Sequence, residues 1–324
     1  MAGALVLQAA NAEVGEVRLA RQYGIHYLPL VIMQHDKLIE KQAQEERLPA
    51  LKVTWAQISG GASVNDALLS GAIDFAAGGV GPLIVAWDKT KGGRGDIKGM
   101  AAVSDVPMTL VTSKPSIKSI KDFTDQDKIA LPAVKTSMQA VTLQMAAAKE
   151  WGDAAFQKLD NFTVSMRHPD GLAALLSGKS EINAHFTAAP YDYKELKTPG
   201  MHAVLDSFDV YGGPATLIIL YGTQKFHDQN PAVFRVVLHA MEKAMNFIRN
   251  DKKRAAEIYL EVTKDKMPVA EMVEILSNPK IQFKLAPSAT IPVANFMHRI
   301  GRIKNQPASW KDLFFSEIHN QPGS

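Results

Sequence analysis

Few residue patterns in this sequence resemble a known phosphate-binding or nucleotide-binding motif, and each lacks part of the motif that it resembles. Residues 177–180, Ser-Gly-Lys-Ser, match the end of a phosphate-binding P-loop, but Ala173 stands where the motif needs Gly, and a helical pattern precedes the loop where a strand is required. Residues 78–81, Gly-Gly-Val-Gly, do follow a predicted strand, but the third Gly of a dinucleotide fingerprint falls on Ile84. These patterns leave open only a simple anion site at a helix N-terminus.

Residues of the other reactive types show no catalytic or metal-binding spacing. The nine histidines include no H-E-x-x-H pair, and no serine lies in a G-x-S-x-G elbow. Cysteine is absent, which excludes disulfides, thiolate metal sites and cysteine nucleophiles. We therefore expect no metal, no cofactor and no catalytic residues.

The composition is that of a folded protein without a nucleic-acid partner. The 324 residues are 46% hydrophobic, which is enough for two domains of about 150 residues or one larger one. The formal net charge is only +3, and the charges are spread without long runs of one sign. Because no stretch approaches 18 consecutive apolar residues, we expect contact with a membrane only through a partner protein.

The N-terminal residues predict export. Residues 2–10 are short, apolar and rich in Ala, and Ala10-Asn11-Ala12 has the A-x-A form of a signal-peptidase site. We interpret residues 1–12 as a signal-peptide remnant that is cleaved after Ala12, and expect a periplasmic protein. The alternative is an Ala-rich N-terminus of a cytosolic protein, because no Lys or Arg precedes Ala2.

Short β-rich runs alternate with helical patterns, which is typical of α/β layers. A later strand is predicted at residues 216–221, and beyond the capping pair Asn230-Pro231 almost everything is helical. The candidate strands before it are residues 17–20, 52–57, 73–77, 99–103, 108–112, 128–131 and 162–166. The candidate helices between them are residues 64–70, 81–89, 137–151 and 172–176.

An internal repeat indicates two similar lobes. Ala-Leu-Leu-Ser-Gly occurs at residues 67–71 and again at residues 174–178, 107 residues later, each time before a strand pattern. This spacing suits two α/β lobes that share a helix, a Gly cap and a core strand, although chance similarity is the alternative. With chain crossings at residues 104–107 and 207–213, we expect one discontinuous lobe of residues 13–104 plus 212–324 and a second lobe of residues 105–211.

Several of these segments together resemble a family of binding proteins. They are residues 67–76 with Gly78 and Gly79, residues 119–123 (Ser-Ile-Lys-Asp-Phe) and residues 174–178, and the resemblance covers nearly the whole chain. The family is that of ABC-importer substrate-binding proteins for aliphatic sulfonates, taurine and nitrate, which also includes binding proteins for thiamine precursors.

The resemblance implies an α/β, type II periplasmic-binding-protein fold, in which two lobes joined by two crossings close on a ligand in the cleft between them. It also implies an extracytoplasmic, monomeric protein that captures a small organic anion, a sulfonate, carboxylate or related compound. This protein would deliver the anion to a permease with ATPase subunits, and would not itself be an enzyme.

Candidate ligand-binding residues follow from the rule that ligands of open α/β sheets lie beyond the carboxyl ends of the strands. In the first lobe these are His26, Tyr27, Gly79, Val80, Gly81, Ser104 and Asp105. In the second lobe they are Lys135, Thr136, Ser137, His168, Phe186, Thr187, Tyr211 and Gly212, with Arg167 in the same loop as His168.

The best physical case among them is the loop of Lys135, Thr136 and Ser137. Amides at the helix start, the macrodipole and two hydroxyls could together hold an acidic group. The alternative is that Thr136 and Ser137 only cap their own helix. Tyr27, Phe186 and Tyr211 could line an apolar ligand body or could simply belong to the core, and His168 could cap a helix instead of touching ligand.

Two other functions are compatible with the same scaffold. A sensor module would use the same closure to signal to a partner, and the sequence does not separate this from transport. The resemblance also extends to an aromatic desulfinase and to pyrimidine synthases, whose chemistry depends on cysteine or on a Cys-rich and His-based site. The absence of cysteine argues against this enzymatic alternative.

Overall fold

The computed structural model describes residues 13–93 and 95–324. The predicted signal-peptide remnant, residues 1–12, lies outside the described residues.

Two five-stranded mixed sheets organise the molecule. The first sheet holds β1 (Glu16–Arg21), β2 (Lys52–Gln57), β3 (Phe75–Gly79), β4 (Ile97–Asp105) and β10 (Thr216–Thr223), in the order β2-β1-β3-β10-β4. The second sheet holds β5 (Met108–Thr112), β6 (Ile129–Leu131), β7 (Thr163–Ser165), β8 (Ala184–Ala188) and β9 (His202–Asp206), in the order β7-β6-β8-β5-β9.

Helices connect and cover the strands. Those that accompany the strands up to β10 are α1 (Leu28–His35), α2 (Leu38–Glu45), α3 (Gly61–Leu69), α4 (Val80–Thr90), α5 (Met138–Trp151), α6 (His168–Ser177), α7 (Tyr191–Leu196) and α8 (Ser207–Tyr211). The helices after β10 are α9 (Gln224–Gln229), α10 (Pro231–Asn250), α11 (Lys252–Thr263), α12 (Val269–Ser277) and α13 (Thr290–Arg299). Within the described residues, none of these helices has the length and apolar character that crossing a bilayer requires.

The two sheets have equivalent topologies. In the first, β1 pairs in parallel with β2 and β3, and β10 pairs antiparallel with β3 and β4. In the second, β6 pairs in parallel with β7 and β8, and β5 pairs antiparallel with β8 and β9. We call the part built on each sheet the first lobe and the second lobe.

The repeated pentapeptide occupies the same place in both lobes. It ends α3 before β3 and ends α6 before β8. Its glycines, Gly71 and Gly178, have φ of +72° and +61°, a left-handed conformation that lets the chain leave the helix and enter the next strand.

The crossings between the lobes differ in form. The chain passes directly from β4 into β5, whereas residues 207–213 include the short helix α8, where the sequence pattern suggested only a polar connection. The Asp206 carboxylate explains this helix, because it accepts a hydrogen bond from the Phe208 amide at 2.8 Å and so caps its first turn.

Candidate ligand-binding cleft

A cleft between the two lobes lies at the carboxyl ends of the parallel strands. Its walls come from the segments that follow β1, β2 and β3 in the first lobe and β6 and β7 in the second, together with the start of β10. The lining residues are Gln22, Tyr23, His26, Tyr27, Ser59, Gly61, Gly79, Pro82, Leu217 and Ile218 from the first lobe, and Pro132, Ser137, Met138, Gln139, Arg167 and His168 from the second.

Four helices begin at this cleft, two from each lobe. The starts of α3 and α4 contribute Gly61 and Gly79, and the starts of α5 and α6 contribute Met138 and His168. The first turn of a helix has amide donors without intrahelical partners and carries the positive end of the macrodipole. The four helix starts therefore contribute positive potential to the cleft.

The lobes are closed on each other at this point. The cavity left between them is only about 30 Å³, room for about two water molecules. A Cβ on Gly79 would lie 2.9 Å from the Met138 Cβ across the cleft, and the Gly81 amide meets the Met138 sulfur at 3.4 Å. Because these residues touch across the cleft, a ligand can enter only if the lobes separate.

Polar side chains of the first lobe are fixed at the cleft wall. The Gln22 side-chain oxygen Oε1 accepts a hydrogen bond from the Gly60 backbone amide at 3.0 Å, which ties the loop after β1 to the start of α3. His26 is 3% exposed, and its buried Nδ1 has no hydrogen-bond partner among residues 13–93 and 95–324. Burial lowers the pKa of His26 well below its usual range, and His168 lowers it further, so the ring is neutral.

The second lobe holds a buried chain of polar groups that ends at the cleft. The Glu195 carboxyl lies 2.6 Å from His185 Nδ1, and His185 Nε2 lies 3.0 Å from His168 Nδ1. His168 Nε2 lies 3.2 Å from the Gln139 amide nitrogen, and both residues line the cleft. A Cβ on Gly171 would lie 2.7 Å from the His185 ring, so this glycine lets α6 approach the chain closely.

Burial keeps this chain uncharged at neutral pH. It raises the pKa of the Glu195 carboxyl to about 9 and lowers the pKa of His185 to about 3. Burial also lowers the pKa of His168 well below its usual range, and the neighbouring His185 lowers it further. The proton between Glu195 and His185 therefore resides on the carboxyl, and the chain positions His168 as a neutral imidazole.

Arg167 supplies a positive charge at the cleft. It is the N-cap residue of α6, and its Nε donates to the Asp170 carboxylate at 2.7 Å, which raises the pKa of the guanidinium. Since both side chains are about half exposed, this pair is solvated and Arg167 can exchange Asp170 for a ligand at little cost.

The predicted ligand-binding residues fall into two groups. Those that line the cleft are His26, Tyr27, Gly79, Ser137 and His168. Those outside its lining are Val80, Gly81, Ser104, Asp105, Lys135, Thr136, Phe186, Thr187, Tyr211 and Gly212. Contact of any of them with a ligand stays a prediction.

Several residues of the second group have structural contacts. The Ser104 hydroxyl donates to the His26 carbonyl at 2.9 Å, and Phe186 is fully buried in β8. Thr187 Oγ1 lies 3.0 Å from His168 Nδ1, and the Tyr211 hydroxyl hydrogen-bonds Thr142 on α5. Gly212 ends α8 with φ of +81°.

The loop before α5 was predicted either to bind the ligand or only to cap its own helix, and Ser137 is placed for both. The Ser137 side chain lines the cleft but also accepts a hydrogen bond from the Ala140 amide at 3.2 Å, so it caps its own helix. Thr136 is exposed. Lys135 has φ of +64°, and its carbonyl accepts a hydrogen bond from Arg302 of the first lobe at 2.6 Å.

Sequence reasoning missed several lining residues, some of which it could have found. Ser59 and Gly61 follow β2, and the carboxyl-end rule applied to that strand would have identified them. Gln22 and Tyr23 precede the predicted His26 in the same loop. No sequence pattern predicts Leu217 and Ile218 as lining residues. They lie at the start of β10, which reaches this edge of the sheet because β10 runs antiparallel to β3.

One protein-family model matches this sequence. The model described as the NMT1-like family matches residues 10–260, which is most of the chain.

The chain belongs to the NMT1-like family.

Solved structures of binding proteins share the fold of this NMT1-like chain. The alkanesulfonate-binding protein SsuA from Xanthomonas axonopodis pv. citri, bound to MOPS, superposes with a TM-score of 0.72 at 18% identity, over 93% of this chain and 98% of that one. The periplasmic aliphatic sulphonate binding protein SsuA from Escherichia coli gives 0.67 at 18% identity, over 94% and 93%. The periplasmic nitrate-binding protein NrtA from Synechocystis PCC 6803 gives 0.68 at 14% identity, over 93% and 84%.

These findings confirm the predicted resemblance and the predicted α/β periplasmic-binding-protein fold with two lobes and a cleft between them. No curated protein matches the sequence. Among the described residues there is no group of three or more His, Cys, Asp or Glu placed to hold a metal ion.

Replacing Glu195 by Gln should change how stability depends on pH. An unfolded Glu ionises near pH 4.3, whereas folded Glu195 keeps its proton until about pH 9, so the parent protein loses stability as pH rises through this window. Glu195→Gln has no such loss. Its unfolding free energy relative to the parent, from urea titrations, should rise by at least about 1 kcal/mol between pH 6 and pH 8. The exposed Glu242→Gln is the control, and an equally flat difference for both variants would contradict the neutral carboxyl.

Replacing Asp105 by Ala should destabilise the crossing between the lobes. Its buried carboxylate pairs with Lys284 at 2.8 Å and accepts from the Thr216 hydroxyl at 2.7 Å, so removal takes the carboxylate from the Lys284 ammonium and the acceptor from the Thr216 hydroxyl. We expect a loss of about 2 kcal/mol or more in unfolding free energy. A loss below about 0.5 kcal/mol would show that the contacts are not structural.

Proposed function

We propose that this chain is the extracytoplasmic solute-binding protein of an ABC importer, and that it captures a small organic anion by hinge closure and delivers it to a permease. The observation that carries this proposal is the convergence of four helix starts, two from each lobe, on one closed cleft. An acidic group bound there is attracted to both lobes at once, so its binding energy favours the closed state over the open one.

The proposed ligand combines an acidic group with an apolar body. Amides at the helix starts and Arg167 would hold the acidic group, which suits a sulfonate, a carboxylate or a related anion. The lining also includes apolar or aromatic side chains that could contact such a body, among them Tyr23, Tyr27, Pro82, Met138 and Leu217. A bare inorganic ion would leave these surfaces without a partner.

We propose the same lobe boundaries, cellular location and partners that we expect from the sequence. Residues 13–104 with residues 212–324 form one lobe, and residues 105–211 form the other. The protein acts in the periplasm as a monomer, and its partners are the permease and ATPase subunits of the importer. The assignment of sheet strands to these ranges supports the division, since β1 to β4 and β10 form one sheet and β5 to β9 the other.

We propose binding without turnover. The similar solved structures are described as binding proteins, which supports this view. The two histidines that line the cleft are held neutral by burial.

A thermal-shift screen identifies the ligand class. The purified protein, unfolded and refolded to remove carried-over ligand, is tested against sulfonates, carboxylates, aromatic acids, nitrate and pyrimidines. We expect a selective rise in Tm with one class of organic anion, because a ligand at 100 times its Kd stabilises the native state by about 2.7 kcal/mol. A rise in Tm with neutral pyrimidines alone would show that the ligand is not an anion. No rise with any compound would contradict the proposal that the chain binds a solute for an importer.

Replacing Gly79 by Ala tests closure directly. Gly79 has φ of −66°, which any residue adopts, and an added Cβ would stay at least 3.5 Å from its own lobe but lie 2.9 Å from the Met138 Cβ of the other. The methyl group therefore opposes closure without straining the first lobe.

We expect ligand affinity, measured by calorimetry, to fall at least tenfold in Gly79→Ala, or about 1.4 kcal/mol. The matched control is Gly15→Ala, where a Cβ meets nothing within 4 Å. Equal affinity in Gly79→Ala and the parent would contradict a ligand-bound state with the lobes this close.

A further inference from the structure

A second pocket opens beside the cleft, between the same two lobes. Its cavity is about 380 Å³, and we call it the flank pocket. The first lobe contributes the ends of β1 and β2 and the end of α11 with the loop after it, and the second lobe contributes α6 and α7. Gln22 and Tyr23 line both the flank pocket and the cleft, so the two spaces are neighbours.

Arg21, the last residue of β1, is the most buried cation of this pocket. The residue is only 9% exposed, and among the described residues no carboxylate pairs with it. Its Nε donates to the Gln34 side chain at 3.1 Å, while its two terminal nitrogens have no hydrogen-bond acceptor in the described part of the chain. Burial lowers the pKa of the guanidinium, which reflects the cost of holding this charge away from water.

The charges around Arg21 are positive in excess. Lys194, Lys264 and Lys266 also line the pocket, and the single lining carboxylate is Asp265. Lys194 already lies 2.7 Å from both oxygens of that carboxylate. Four cations thus face one acid, and the field in the pocket favours an anion.

Three phenols complete the wall, from Tyr23, Tyr191 and Tyr259. Tyr191 and Tyr259 are 8% and 2% exposed, and burial raises the pKa of both, so each keeps its proton and can donate a hydrogen bond. A guanidinium fork with hydroxyl and ammonium donors is the set that recognises tetrahedral oxyanions and carboxylates.

We propose that the flank pocket is a second anion site, which takes a dianionic tetrahedral oxyanion, a phosphate or sulfate group, on Arg21. The anion bridges the lobes, because Arg21, Lys264 and Lys266 belong to the first and Lys194 and Tyr191 to the second. It therefore stabilises the closed state and raises the affinity of the cleft for its own ligand. This coupling rests on the proposed function, whereas anion binding in the flank pocket does not.

The first experiment uses sulfate as the probe and needs no cleft ligand. Calorimetric titration of the ligand-free protein with sodium sulfate, at constant ionic strength set with chloride, should show one saturable site. Arg21→Gln should weaken sulfate binding at least tenfold, and Arg21→Lys, which keeps the charge but loses the fork, should weaken it less. Phosphate should compete with sulfate for this site, whereas acetate should bind more weakly.

A second variant, at exposed positions of the same pocket, tests the site even if the Arg21 variants fail to fold. Lys264 and Lys266 are exposed, and Lys264 has φ of +58°, which Asn tolerates. The double variant Lys264→Asn with Lys266→Gln should weaken sulfate binding severalfold. Its matched control, Lys225→Gln with Lys253→Gln, removes the same charge from exposed positions outside the pocket lining and should leave binding unchanged. Equal losses in both pairs, or sulfate binding that survives Arg21→Gln, would overturn the site.

The coupling is tested once a cleft ligand is known. Its affinity should increase in saturating sulfate in the parent and not in Arg21→Gln. Competition between sulfate and the cleft ligand would overturn the second site, since the flank pocket would then be part of a single ligand site. An unchanged affinity, with sulfate bound, would overturn the bridging role.

Discussion

The parallel pairing of three strands in each sheet is the constraint on which the rest of the structure depends. β1, β2 and β3 run in one direction, as do β6, β7 and β8, so their carboxyl ends meet at one edge of each sheet. The helices α3, α4, α5 and α6 follow β2, β3, β6 and β7, and each therefore begins at that edge. Two such edges face each other across the cleft, which concentrates amide donors and positive dipole ends at the proposed ligand site.

Close approach of the two edges requires small residues and a neutral interior. Gly79 and Gly81 at the start of α4 leave room for Met138 and Val141 of α5, and a Cβ on either glycine would crowd the opposite lobe. Behind the cleft wall, the chain from Glu195 to His168 is buried and uncharged, so it fixes the position of His168 without adding a charge. Net attraction for an anion then comes from the helix starts, Arg167 and, in the adjacent flank pocket, Arg21.

Much of the fold could be predicted from the sequence because its signals are local. Alternation of apolar runs with helical spacing placed most of the strands, and the repeated pentapeptide located the equivalent helix-to-strand turns of the two lobes. The cleft residues were harder to predict. The carboxyl-end rule found the lining residues His26, Gly79, Ser137 and His168. Asp105 and Tyr211 satisfy the same rule but lie outside the lining, where Asp105 pairs with Lys284 and Tyr211 with Thr142. The rule does not predict these pairs, because they join segments that are distant in the sequence. Arg21 gave no signal as the last residue of a strand, and only burial without a carboxylate partner distinguishes it.

Anion binding by the helix starts of both lobes is tested most directly by a crystal structure of the complex with the organic anion that the thermal-shift screen selects. We expect the acidic group to lie within hydrogen-bond distance of backbone amides from both lobes, at the start of α3 or α4 on one side and of α5 or α6 on the other. A ligand whose acidic group contacts one lobe only, or lies away from these helix starts, would contradict closure of the lobes on a shared anion.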